Sequence, residues 1–153
     1  MAFQRIAPKG AQKMYFINYK EKNNANLTFI FALFFIAERN PKEKLKNIIK
    51  FKSLNQLLNK FKESLNYNIS ISTLNRYLKN ENNYIFFEYK PKEKIIYLKN
   101  DFRNKKNVTF VTLTRKEILF LIAQNDDFLN NYYLYLKYYC NYSKSKTNDF
   151  TSV

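Results

Sequence analysis

The chain has 153 residues, a hydrophobic fraction of 46% and a formal net charge of +15. That hydrophobic fraction is large enough for a folded core, which excludes a globally disordered chain, and the length allows one domain or two small ones. The sequence contains no histidine, one cysteine and one glycine. This excludes histidine-based catalysis, an internal disulfide and a glycine-rich phosphate loop. We therefore expect a non-enzymatic protein with no cofactor, no metal and no small-molecule substrate.

The positive charge predicts a polyanionic partner, because 27 Lys and Arg residues stand against 12 Asp and Glu residues. Nucleic acid is the favoured partner, and an acidic membrane surface is the alternative. The longest apolar run, residues 27–37, is too short to span a bilayer and is typical of a buried helix. The first residues lack an apolar signal segment, and a lone Cys140 fits a reducing compartment. We predict a cytoplasmic protein without a membrane partner.

The first predicted elements follow a basic arm over residues 1–13. A short strand is predicted over residues 14–19, and a helix over residues 26–39. Asn26 can cap that helix, and the proline after Asn40 disfavours its continuation. A further strand is predicted over residues 48–51.

Two short helices joined by a polar turn come next. The first, residues 53–61, begins with Ser53 and has Gln56 three residues later, which is the capping-box spacing. Its apolar face consists of Leu54, Leu57, Leu58 and Phe61. The second helix, residues 70–79, is capped by Ser70, and its inward-pointing residues are predicted to be Ile71, Leu74 and Leu78.

A β-hairpin completes the pattern, with strands predicted over residues 84–89 and 95–98. Its tip, residues 90–94, is basic. The strand over residues 48–51 is expected to pair with the hairpin and give a three-stranded edge. The predicted fold is therefore α+β and helix-rich: a winged helix-turn-helix of three helices and a hairpin wing, with a following strand and helices.

The second half begins after a polar linker at residues 102–107. A strand is predicted over residues 108–113. A helix is predicted to follow it and to end at Ala123, because Thr114 and Glu117 have the spacing of a capping box at its start. Another helix is predicted over residues 128–142, with a fraying polar tail. We interpret residues 14–101 as a winged-helix domain and residues 108–153 as a partial second winged-helix-like region. The alternative is that the later helices pack back on the first domain.

The helix over residues 70–79 is the candidate DNA reader, because a helix fits the major groove and its polar side chains meet base edges. The candidate contacts on it are Ser70, Ser72, Thr73, Asn75, Arg76 and Lys79. The alternative is an ordinary amphipathic helix whose outer face is only solvated, with Arg76 paired to an acidic residue.

The hairpin tip adds a second group of candidate contacts, which are Lys90, Lys92 and Lys94. Such a tip contacts phosphates or enters the minor groove, and the alternative is a solvated charged turn. Further backbone attraction is expected from Lys60, Lys62, Lys99, Arg103, Lys105 and Lys106.

Two further features have alternative interpretations. The tyrosines of the last helix could stack on single-stranded DNA; they are Tyr132, Tyr133, Tyr135, Tyr138, Tyr139 and Tyr142. The last four of these have helical spacing, which favours a core or a dimer face. Asp126 and Asp127 begin that helix, and we interpret them as complementing its dipole.

The segment from Tyr132 to Lys146, with residues 147–151 after it, resembles replication initiator (Rep) proteins of low-G+C Gram-positive plasmids. Residues 109–121 resemble the stretch that precedes it in such proteins. The resemblance covers mainly residues 108–151. It implies tandem winged helices that bind repeated origin sequences, a switch between dimer and monomer, and recruitment of host replication proteins.

Together these features predict a non-catalytic, sequence-specific double-stranded DNA-binding protein, the N-terminal part of a plasmid replication initiator. One alternative is a conjugation-origin accessory protein or a transcriptional regulator. The alternative from another class is a winged helix that binds a partner protein through its aromatic surfaces. A homodimer is compatible with each.

Overall fold

The computed structural model describes residues 14–20, 24–39, 47–100 and 109–151, with side chains described up to Cys140. The predicted arm at 1–13 and the linker at 102–107 lie outside the described residues, as do Arg103, Lys105 and Lys106. The described chain is α+β. Its elements are β1 Met14–Asn18, α1 Leu27–Ile36, β2 Glu38–Arg39, β3 Asn47–Lys50, α2 Leu54–Leu65, α3 Ile71–Lys79, β4 Phe87–Lys90, β5 Ile95–Leu98, β6 Phe110–Thr114, α4 Arg115–Gln124 and α5 Asp127–Thr151.

Helix α1 forms the centre of the molecule. Eight consecutive residues, 27–34, are buried, as expected for a helix that is apolar on all sides. It contacts α2, α4, α5 and β3. The helix ends at Ile36, so the predicted end at Arg39 was wrong. Ala37 adopts an extended conformation, and Glu38 and Arg39 pair with β3.

The larger sheet has four antiparallel strands in the order β2-β3-β5-β4. In its centre Ile96 lies opposite both Ile49 and Tyr89. Ile49, Ile96 and Phe87 are buried against the core. The predicted pairing of the strand near Ile48 with the hairpin is confirmed, and β2 adds a fourth strand.

An asparagine cluster explains why β4 begins at Phe87 and not at Tyr84. Asn83 is fully buried, and its side-chain amide donates to the Tyr77 carbonyl (2.8 Å) and to Asn26 Oδ1 (3.1 Å). The Asn80 amide donates to the same Asn26 oxygen at 2.9 Å. These bonds hold a 3₁₀ turn at Glu81–Asn83. The Asn26 side chain is thereby occupied, and it makes no capping bond to α1.

The smaller sheet connects the two halves of the chain. β1 and β6 are antiparallel, with Met14 opposite Thr114 and Asn18 opposite Phe110. Buried residues of α4 and α5, among them Ile118 and Leu134, belong to the same hydrophobic cluster as Phe29 of α1. Buried residues from both sides of the predicted linker at 102–107 thus share one hydrophobic cluster, and α1 contacts both α4 and α5.

The C-terminal helix is longer than predicted. α5 continues to Thr151, past the predicted end at Tyr142, so most of the predicted tail at 143–153 has helical backbone. In the described part of the chain, no helix combines the length and apolarity that crossing a membrane requires.

Candidate nucleic-acid interface

Helix α2 begins at the predicted cap. Ser53 Oγ accepts a hydrogen bond from the Gln56 N–H at 3.2 Å. The Gln56 side chain accepts from the Lys52 N–H at 2.6 Å, so the reciprocal bond is shifted by one residue from the usual capping box. Leu57 and Phe61 are buried, which confirms the predicted apolar face. The helix extends one turn past its predicted end and stops at Asn66, whose φ is 53°.

Helix α3 has the predicted cap and bounds. The Thr73 N–H donates to Ser70 Oγ at 3.1 Å, and the two hydroxyl groups are 2.9 Å apart. Leu74 and Leu78 are buried as predicted, but Ile71 is 43% exposed. The prediction for Ile71 was wrong because α3 contacts the core along its later turns. Its first turn lies at the surface, where residues 70–72 are all exposed.

The outer face of α3 is solvent-accessible. Ser72, Arg76 and Lys79 are exposed and follow one line along the helix, whereas Thr73 and Asn75 are half-buried. The Arg76 guanidinium lies 5.5 Å from the Tyr77 ring centroid. Within the described ranges, Arg76 forms no ion pair.

The hairpin tip is anchored at its base and exposed at its end. The Phe51 N–H donates to the Lys94 carbonyl at 3.2 Å, which ties the tip to the residues before α2. Lys94 has a φ of 56°, a left-handed conformation that favours glycine. The Lys90 Nζ atom lies 3.9 Å from Glu93 Oε2 and 5.5 Å from the centroid of the Tyr97 ring.

Lys92 and Lys94 are exposed at this tip. Neither forms an ion pair with another described residue. Lys60, by contrast, donates to the Lys50 carbonyl at 3.1 Å and is half-buried. Lys62 and Lys99 are exposed, and the Lys99 ammonium donates to the Tyr84 carbonyl at 2.7 Å.

The second half of the chain contains one tightly bonded polar cluster. The predicted capping box of α4 is confirmed, with the Glu117 N–H donating to Thr114 Oγ1 and the Thr114 N–H donating to Glu117 Oε1. Glu117 Oε2 also accepts from the Tyr133 hydroxyl and, at 2.6 Å, from Lys137. The cluster joins the start of α4 to α5.

Burial opposes ionisation of the Glu117 carboxyl, but its hydrogen bonds from Lys137, Tyr133 and the Thr114 backbone outweigh burial and hold its pKa below 4.5. Burial and the Glu117 carboxylate raise the pKa of Tyr133 to about 12. No group of three or more potential metal ligands occurs among the described residues.

The α5 tyrosines divide between two environments. Tyr133 and Tyr138 pack against the core, and Tyr138 stacks on Tyr19 with ring centroids 4.6 Å apart. Tyr132, Tyr135 and Tyr139 are exposed, so the predicted packing within the fold does not extend to them. The side chain of Tyr142 lies outside the described residues.

Asp126 and Asp127 serve two different helices. Asp126 accepts from the N–H groups of Phe128 and Leu129 at the start of α5, both at 3.1 Å. Asp127 accepts from the Thr28 N–H of α1 at 2.9 Å. Asp126 therefore lies at the start of α5 as expected and binds its free N–H groups. Asp127 binds a residue of α1 that is 99 positions away in the sequence, so this contact could not be predicted from the neighbouring residues.

Comparison of the chain with protein-family models, with curated proteins and with solved structures found no match. The resemblance of residues 108–151 to plasmid initiators therefore stays a prediction.

Proposed function

We propose that residues 27–98 form a winged helix-turn-helix that binds double-stranded DNA sequence-specifically and without catalysis. The order of elements supports this: α1, β3, α2, α3 and a β4–β5 hairpin, with β3 paired to β5. The observation that carries the proposal is the outer face of α3. It holds Arg76 exposed and without an ion pair among the described residues, as insertion into a major groove requires.

In this arrangement α3 reads the bases. Arg76 would pair with guanine O6 and N7, and Asn75 with adenine, each contributing roughly 1–3 kcal/mol of discrimination. The exposed Ile71 adds an apolar surface for a thymine methyl group. Ser72, Thr73 and Lys79 complete the contacts on this face, and Ser70 mainly holds the first turn in place.

The hairpin tip binds the DNA backbone. Lys92 and Lys94 contact phosphates beside the groove that α3 enters, and Lys90 supports them from the end of β4. These contacts fix the register of the protein on DNA and make its affinity depend on salt. Lys62 and Lys99 add sequence-independent attraction.

The biological role we propose is initiation of plasmid replication, with binding to repeated origin sequences and contact with host replication proteins. The resemblance in residues 108–151 supports this role. A conjugation-origin accessory protein or a transcriptional regulator would use the same DNA-binding surface, so the identity of the bound sequence distinguishes these roles.

The test begins with selection of bound sites from random duplexes, followed by gel-shift titration at about 100 mM salt. We expect the selected site to bind at least about 10³-fold more tightly than random DNA. Arg76→Ala should lose about 10- to 100-fold in affinity for the selected site and little for random DNA.

Lys116→Ala is the matched control, because Lys116 is also exposed but lies on α4. It should bind the selected site as the wild type does. The proposal is contradicted if all duplexes are bound with equal affinity, or if Arg76→Ala and Lys116→Ala lose equal affinity for the selected site. Either result would mean that the protein binds DNA only through electrostatic attraction.

A protein-interaction role is the second candidate, favoured by the exposed aromatic residues of α5, of which Phe128 is 82% exposed. It predicts no duplex binding at the same salt concentration and a stable complex with a partner protein.

A further inference from the structure

The small sheet of β1 and β6 has one buried side and one solvent-accessible side. Along both strands buried residues alternate with exposed or half-buried ones, because successive side chains of a strand point to opposite sides of the sheet. The accessible side includes Met14, Phe16 and Phe110, which are 42%, 40% and 40% exposed. We call this side the β1–β6 outer face; its residues are Met14, Phe16, Asn18, Phe110, Thr112 and Thr114.

Two aromatic rings lie side by side on the β1–β6 outer face. Phe16 is opposite Thr112, and Phe110 is opposite Asn18, so the two rings are diagonal neighbours on adjacent strands. Their centroids are 5.9 Å apart and their planes are at 77°. Because both rings belong to a paired sheet, their positions are set by the backbone before any ligand binds. Exposed aromatic side chains in such a position are stacking surfaces for unpaired bases.

Positive charge lies beside these rings, at the end of the sheet where Asn18 is found. The Tyr19 N–H donates to the Thr109 carbonyl at 2.9 Å, so the pairing continues past Asn18, and Lys20 follows on the outer side and is exposed. The Asn18 amide donates to the Lys99 carbonyl at 3.5 Å, which places Lys99 next to the same end. Lys99 is exposed and forms no ion pair within the described part of the chain.

The distribution of charge identifies the occupant of this surface. The β1–β6 outer face itself contains no charged residue. A duplex keeps its bases stacked inside and presents phosphates, which an uncharged face does not bind. A single strand presents unpaired bases for the rings and phosphates for neighbouring cations. A net charge of +15 also favours a polyanion over a basic partner or a second copy of the chain.

We propose that the β1–β6 outer face binds single-stranded DNA. Unpaired bases stack on Phe16 and Phe110, and Lys20 and Lys99 hold the adjoining phosphates. This site is separate from α3, which is proposed to bind the duplex. The choice of DNA over RNA rests on that proposed function, whereas the stacking of unpaired bases does not.

Fluorescence anisotropy with a labelled oligo(dT) of about 16 nucleotides, at about 100 mM salt, tests the proposal. The double variant Phe16→Leu with Phe110→Leu keeps apolar side chains but loses both rings, and its affinity for oligo(dT) should fall about 10-fold or more. Its circular dichroism and its affinity for the selected duplex should stay as in the wild type. Phe120→Leu with Phe128→Leu is the matched control, since both rings are exposed but lie on α4 and α5; it should bind oligo(dT) as the wild type does.

A spectroscopic measurement can detect the stacking itself. The chain contains no tryptophan, so Phe16→Trp introduces a single indole on the β1–β6 outer face. Its fluorescence should be quenched by oligo(dT) in a saturable way, because a base stacks on the indole ring. Phe120→Trp, which places the indole on α4, should show no such quenching.

Three results would overturn the proposal: no binding of oligo(dT) by the wild type, equal losses in the two double variants, or tighter binding of oligo(rU) than of oligo(dT). Binding to vesicles of acidic phospholipid without binding to oligo(dT) would also overturn it and would identify a membrane-surface contact instead. Arg76→Ala should bind oligo(dT) as the wild type does. Loss of specific duplex binding beside intact oligo(dT) binding would therefore contradict the proposal for α3 and not this one.

Discussion

Glu117 shows how one side chain can connect several elements. Its two carboxylate oxygens accept bonds from the backbone of Thr114, from Tyr133 and from Lys137. The side chain is 18% exposed, so water screens these charge-assisted bonds less than it would at a fully exposed site. Since Glu117 opens α4 while Tyr133 and Lys137 belong to α5, the cluster fixes the angle between two helices.

Replacing Glu117 with Gln should therefore cost stability in a pH-dependent way. Because the pKa of Glu117 in the folded protein lies below its ordinary 4.5, the ionised carboxylate stabilises the fold above that value. This stabilisation is lost as the pH falls through the lowered pKa. Urea unfolding should show a loss of about 1–3 kcal/mol for Glu117→Gln at pH 7, shrinking toward zero in the acid range.

Glu63→Gln is the control, because Glu63 is exposed on α2, and it should change little at either pH. A difference between Glu117→Gln and wild type that is the same in acid as at neutral pH would show that the charge of Glu117 contributes nothing.

At the scale of elements, Lys94 in the hairpin tip allows the effect of a substitution on folding stability to be measured separately from its effect on DNA binding. Lys94 has a φ of 56°, which costs a residue with a side chain roughly 1 kcal/mol relative to glycine. Lys94→Gly should therefore raise the free energy of unfolding by about 1 kcal/mol, whereas Lys94→Ala should not, because alanine retains a Cβ atom.

Both Lys94 variants remove the same charge. We expect each to reduce the slope of log affinity against log salt by about 1 on the selected duplex, measured by gel-shift titration. If Lys94→Gly lowers stability, the left-handed backbone is not the source of strain. If the slopes do not change, the tip does not contact phosphate.

The elements that sequence could predict are those whose signals are local. The caps Ser53, Ser70 and Thr114 lie three residues before the N–H groups that they bind, and all three are found as predicted. The hairpin strand Ile95–Leu98 likewise follows from its neighbours and its turn. The outer face of α3 was predictable because helical periodicity separates it from Leu74 and Leu78.

What sequence could not show depends on contacts between distant segments. The start of β4 is set by Asn83 bonding to Asn26, 57 residues away, and the first turn of α1 is held by Asp127. The exposure of Phe128, Tyr132, Tyr135 and Tyr139 has the same origin, because aromatic residues occur on several sides of α5. Which side is buried was decided by packing against the rest of the fold, as for Tyr138 on Tyr19.

At the scale of the whole molecule, the second half of the chain covers the central helix of the first. β6 completes a sheet with β1, and α4 and α5 both contact α1. The proposed DNA-binding face of α3 and the exposed side of α5 then belong to one body with one hydrophobic core.

The shared core predicts that a fragment ending at Asn100 does not fold. It loses the partner of β1, the Asp127 bond to α1 and the buried side chains of β6, α4 and α5, which are Val111, Leu113, Ile118, Leu121, Ile122 and Leu134. At about 1.5–3 kcal/mol for each buried aliphatic side chain, this loss equals or exceeds the about 5–15 kcal/mol by which a whole domain is stable. Circular dichroism should show no cooperative thermal transition for this fragment, whereas a variant ending at Cys140, which keeps all of these residues, should unfold cooperatively. A cooperative transition in the shorter fragment would instead establish residues 14–100 as an independent domain, because a separate core is the one arrangement that survives removal of these contacts.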